Sequence, residues 1–217
     1  RYSELVIDLA RLRIVEVGRI SDEVLWKFAR EGSADGVVIH GKRVHATSSV
    51  YDREYDDLID SAVWCFSYDG EHLWTKHMDE RAWTIFPDNI AVIIGLGRPK
   101  MGIAIINQDG DLNYQQLDSN SPVTFGGLIG SRPLFGHANG DISSIDGSIT
   151  SITGESIEGV LTDNQENLIV VAEHSVQSFN NNKSLLWVMK NLQTSGHAIG
   201  FEINNIQTFW CAQPDGL

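Results

Sequence analysis

A strand–turn–strand unit that recurs along the chain limits its fold more than any other feature. Residues 62–74 and 175–187 align end to end: an apolar run, a polar turn, then a second run with Trp four residues past the turn. The same frame fits 103–114, with Tyr in the Trp place, and 14–26. A degenerate copy at 141–151 has lost its aromatic. The anchors are Trp26, Trp74, Tyr114, Ser151 and Trp187, in steps of 48, 40, 37 and 36 residues. A period near forty residues is that of a four-stranded propeller blade. Further short apolar runs precede each hairpin, and the turns are rich in Asp-Gly, Asn-Gly and Asn-Asn, which suit tight β-hairpins. Helical periodicity is almost absent; residues 54–59 are the one arguable helical turn.

The fold expected is therefore all-β, a β-propeller of four-stranded blades, with one domain over 1–217. The blades fall near 36–77, 83–118, 122–153 and 157–190. A fifth is assembled from 197–213 and 13–28, so that terminal strands close the ring and cover its edges. A single forty-residue sheet cannot bury both its faces, so blades must stack. Trp26, Trp74, Tyr114 and Trp187 are expected to fill the core between neighbouring blades.

Composition narrows the partners. The formal net charge is −13 and the pI about 4.8, a field that repels phosphate backbones and anionic bilayers. With no basic stripe, nucleic acid is not expected as a partner. No apolar run reaches the ~20 residues of a membrane-spanning helix, so no membrane insertion is expected. Cys65 and Cys211 each follow a Trp in an apolar run and have neither metal-ligand nor disulfide spacing. They are read as small buried hydrophobes.

The hairpin frame of residues 66–74, a strand, Asp-Gly and then Leu-Trp, resembles the repeat of pyrroloquinoline-quinone-like propellers, and 179–187 is the next best match. That group includes quinoprotein dehydrogenases and non-catalytic propellers similar to the outer-membrane assembly lipoprotein. The resemblance implies a fold rather than an activity. Quinoprotein enzymes are longer, with eight blades, and commonly carry a vicinal cysteine pair, which this chain lacks. The non-catalytic branch is the closer likeness, and no cofactor is expected. WD40 repeats fit less well, because no Trp-Asp dipeptide closes any blade.

Three stretches are candidate binding sites. Residues 51–60 break the repeat with added residues and bring Tyr51, Asp52, Glu54, Tyr55, Asp56, Asp57 and Asp60 together. Carboxylates beside tyrosines suit a basic protein partner, and loops on a rigid scaffold tend to carry binding. Their spacing is not that of a calcium-binding EF-hand. Residues 95–102 are glycine-rich, with Arg98 and Lys100. They lack the Lys-Ser/Thr of a phosphate-binding loop and read as a turn with at most a weak anion site. His137 and His174 occupy equivalent turns, near Asp141 and Glu173, but show no metal-ligand spacing, and no metal site is assigned. The expected function is a non-catalytic scaffold that binds a protein partner. The alternatives are a carbohydrate-binding propeller or, behind it, a glycosidase using Asp141 and Glu173 in a central channel.

Overall fold

Short alternating runs joined by tight polar turns fold here into antiparallel hairpins. The structure, a computed structural model, describes residues 26–190 except 31, 53, 55, 56, 99, 100, 130, 147, 148 and 164, together with 198–203 and 206–211. Among the described residues there are strands and no helix. The first sheet holds β1 (Ser33–His40), β2 (Arg43–Asp52), β3 (Asp57–Ser67) and β4 (His72–His77). The second holds β5 (Ala82–Pro87), β6 (Ala91–Leu96), β7 (Gly102–Asn107) and β8 (Leu112–Gln115). The third holds β9 (Val123–Ile129), β10 (Arg132–His137), β11 (Asp141–Ser144) and β12 (Ile149–Ser151). The fourth holds β13 (Ile157–Thr162), β14 (Leu168–Ala172), β15 (Ser175–Phe179) and β16 (Leu185–Lys190). A two-stranded sheet follows, β17 (Ala198–Ile203) with β18 (Ile206–Cys211). In every sheet the strands lie side by side in chain order, the up-and-down arrangement of a propeller blade. The other half of the expected fifth blade, residues 13–25, lies outside the described residues. Residues 26–28 are described and form no strand.

The chain divides into two compact units, residues 1–94 with 105–113, and residues 95–104 with 114–217. In the first unit Val44, Ala46 and Phe66 form a buried cluster against which Trp26, Phe28, Ile39 and Trp64 pack. In the second, Ile142, Ile157, Val160, Val170 and Phe179 form the corresponding cluster, with Phe125, Leu134 and Ile152 against it. Second strands are buried on both faces, as β6 is along its whole length. Fourth strands are edges and carry no fully buried residue among those described, and all six residues of β16 are exposed.

That gradient corrects the expectation for two anchors. Trp187 on β16 is 42% exposed and Tyr114 on β8 is 45% exposed. Neither is a core residue: each stands largely in water on the outermost strand of its sheet. The other two anchors do pack, through a device that repeats. Gly70 and Gly110 end equivalent turns with φ of +92° and +83°, a conformation that favours glycine. An added Cβ at Gly70 would lie 2.5 Å from Cγ of Trp26, and at Gly110 3.2 Å from Cε2 of Trp74. Each indole therefore lies over the bare backbone of the following turn. Trp26 also donates its Nε1 hydrogen to the Tyr68 carbonyl at 3.1 Å.

Of the helical turn expected over 54–59, residues 57–59 are strand, and 55 and 56 lie outside the described residues. β2 and β3 run out, paired, to Asp52 and Asp57, which lengthens their hairpin.

Candidate functional site

The lengthened β2–β3 hairpin in the first unit is the best candidate. Its strands have 10 and 11 residues, against 4 to 6 for β5 to β8 in the next sheet. Val50 pairs with Asp60 and Tyr51 with Leu58, so Ile59 is an extra residue at a β-bulge. A bulge re-aims side chains, and here Ile59 is turned outward, 64% exposed, near Tyr51 at 45%. Beyond them Asp52 accepts a hydrogen bond from the Glu54 backbone N–H at 2.8 Å, closing the turn. Tyr55 and Asp56 lie outside the described residues, and Asp57 is placed by its backbone at the start of β3.

Asp60 has a different role from the one expected. Arg30 Nη2 lies 2.6 Å from one of its oxygens and His77 Nδ1 2.9 Å from the other. Burial raises the Asp60 pKa, but the hydrogen bonds and charges of Arg30 and His77 outweigh it and hold the carboxyl below its ordinary range. Arg30 in turn sits over the Trp64 ring at 4.8 Å, and Phe28 stacks at a tilt on the same ring at 4.9 Å. Asp60 therefore anchors the base of the hairpin to the 26–30 segment and is not a free contact group. Asp60→Ala should lower stability by about 1 kcal/mol, the upper end for a partly exposed ion pair. A urea melt checks this, and an unchanged midpoint would show that the pair contributes nothing. Arg30 and His77 were not legible as partners, being 30 and 17 residues away with no motif linking them.

The second unit disperses the other candidates. His137, at the end of β10, has no exposed surface. Its Nδ1–H donates to the Ser121 carbonyl at 3.0 Å, leaving Nε2, 2.7 Å from the Ser143 hydroxyl, as an acceptor. Burial pushes its pKa down, against the opposing effects of the Ser121 carbonyl and Asp141. His137 is thus a neutral core histidine and not a rim ligand, which corrects its assignment as a binding residue. His174 is exposed in the β14–β15 turn, with Nε2 3.8 Å from Glu173. Asp141 accepts from Ser151, Asn139 and Ser119 at 2.5, 2.7 and 3.1 Å. Burial raises its pKa, but these hydrogen bonds and nearby His137 prevail and hold it low. An acceptor engaged in this way staples a turn and is poorly placed for acid–base work. Arg98 is exposed in the β6–β7 turn, and Lys100 lies outside the described residues. Among the described residues no three His, Cys, Asp or Glu side chains gather as metal ligands. No helix there is long and apolar enough to cross a membrane.

No protein-family model and no curated protein sequence matches the chain. Solved structures do. The CNH domain of AfRom2 is 10% identical, with 95% of this chain covering 69% of that one at a TM-score of 0.59. BBS1N, solved in complex with ARL6DN, is 11% identical, with 88% covering 67% at a TM-score of 0.57. A chain of the mitotic checkpoint complex is 11% identical, with 69% covering 47% at a TM-score of 0.52. At such identity the likeness is one of fold. Taken with the sheets above, it makes this chain an all-β protein of the β-propeller type.

Proposed function

We propose that this chain is a non-catalytic propeller, of the pyrroloquinoline-quinone-like repeat type, that binds a protein partner through the β2–β3 hairpin. The observation that carries the reading is the bulged, lengthened hairpin, which holds Ile59 and Tyr51 in water beside carboxylates on a rigid base. Exposed apolar and aromatic anchors next to charge are the usual makings of a contact patch. The net charge of −13 favours a basic partner, with association weakening as salt rises past the ~10 Å screening length of 0.1 M. Two of the similar structures come from complexes, which lends precedent. The hydrogen-bonded state of Asp141 supports the non-catalytic part.

The test is quantitative capture from the source cells with the wild-type chain and with a Tyr51→Ser/Ile59→Ser variant. A protein that binds wild type and loses at least tenfold affinity for the variant, at equal melting temperature, is the expected result. A partner that binds both equally would move the contact elsewhere on the surface. Turnover of a substrate by the purified chain would overturn the non-catalytic reading.

A further inference from the structure

In the first unit an anchor indole lies over the positive-φ glycine of a following turn, Trp26 on Gly70 and Trp74 on Gly110. The second unit breaks this rule at both positions at once. Trp74 pairs with Cys65 and Trp187 with Ser178, each beside a register shift. β11 and β12 lack that shift, so Thr150 stands opposite Ile142 in the anchor place. The glycine of the following turn is replaced by Lys183, which keeps a positive φ of 61°. Lys183 Nζ donates to the Thr150 hydroxyl at 2.7 Å.

A small residue and a cation thus stand where a ring and a bare backbone stand elsewhere. The space the ring would fill is left as a cleft of about 180 Å³, with Leu134, Ile142, Ile152 and Leu168 on its apolar walls and Thr150 and Lys183 among its lining. An apolar cavity of ~150 Å³ is large enough to hold benzene. An ammonium has three N–H donors, and one of Lys183's is used on Thr150.

We propose that this cleft between the third and fourth sheets is a binding site for a small one-ring aromatic carboxylate. The ring takes the place of the missing indole, and the carboxylate accepts from the remaining Lys183 N–H groups. The site is independent of the partner-binding hairpin, which lies in the other unit.

Titration of the full chain with benzoate and with its neutral isostere benzamide, followed by amide chemical shifts, tests the proposal. Expected are saturable shifts in β10, β11 and β14, with benzoate at least fivefold tighter than benzamide. Lys183→Met, a surface change, should remove that preference and leave benzamide within twofold. Thr150→Trp should refill the cleft from within and weaken both probes at least tenfold. The proposal is overturned if neither probe moves those resonances at millimolar concentration. It is equally overturned if benzoate shows no preference over benzamide, if Lys183→Met keeps the preference, or if folded Thr150→Trp binds as wild type does. Should Thr150→Trp not fold, the Lys183→Met comparison decides alone.

Discussion

Phe66→Ala is expected to cost about 3–5 kcal/mol of stability, the range for emptying a large buried aromatic site. The Phe66 ring is among the largest fully buried side chains and meets three others, Trp26 at 5.3 Å, Phe28 at 5.0 Å and His72 at 5.6 Å between centroids. Those neighbours come from β4 and from the 26–30 segment, so the void cannot close by the shift of one element. Aromatic pairs add about 0.5–1.5 kcal/mol each beyond area burial. Trp187→Ala is the contrasting case. Removing that larger ring should cost about 1 kcal/mol or less, because it already stands in water on an edge strand. Equilibrium denaturation of both variants measures the difference. Equal losses would mean that position in the repeat, and not burial, governs the energetics.

Acid should destabilise the first unit through His45. Its ring is buried near the start of β2, facing Trp74 at a centroid distance of 5.6 Å. Among the described residues neither ring nitrogen has a hydrogen-bonding partner, and Arg43 Nη1 and Trp74 Nε1 are likewise buried without one. Burial first, then the charges of His40 and Arg43, bring the His45 pKa from 6.5 down to about 4. Above pH 6.5 the ring is neutral in folded and unfolded chains alike, and stability from this source is complete. Between pH 6.5 and 4 the unfolded chain binds the proton first, so stability falls with pH; below 4 the loss is finished. At about 1.4 kcal/mol per unit the total is roughly 3 kcal/mol. His137, lowered by burial in the other unit, acts in the same direction. Asp60, Asp141 and Asp163 add a separate loss only below their ordinary 3.8. Urea melts at pH 7 and 4.5 should differ accordingly, and His45→Phe should shrink that difference. A ring-proton titration of His45 with its midpoint at 6 or above would refute the account.

The hairpins were legible because their causes are local. Apolar alternation and turn residues within a dozen positions decide that 62–74 and 175–187 each fold back on themselves, and the aromatic four residues past the turn marks the repeat. Those signals say which residues share a strand, but not what lies beyond the strand. Trp74 and Trp187 occupy the same place in the motif, yet Trp74 packs on the glycine turn of a following sheet while Trp187 is 42% exposed. Burial is a property of two sheets together, so no single repeat contains it. The degenerate copy makes the same point at finer scale. Counting from the turn puts Ser151 in the anchor place, whereas the absent register shift puts Thr150 there, since one bulged residue moves every later side chain across the sheet.

The charged residues divide in the same way. The acidic stretch 51–60 was visible from composition, and so was its departure from the repeat. The anchoring of its base was not. Asp60 became part of the base because Arg30 and His77 arrive beside it from other elements, and His137 became core because Ser121 and Ser143 close on both its nitrogens. The sequence by itself determined the all-β class, the strand units and the break in the repeat, all set by chemistry between near neighbours. Only tertiary structure decided which anchors are buried, which carboxylates are engaged and where a ring is missing, because those depend on groups far apart in the chain that meet only after it folds.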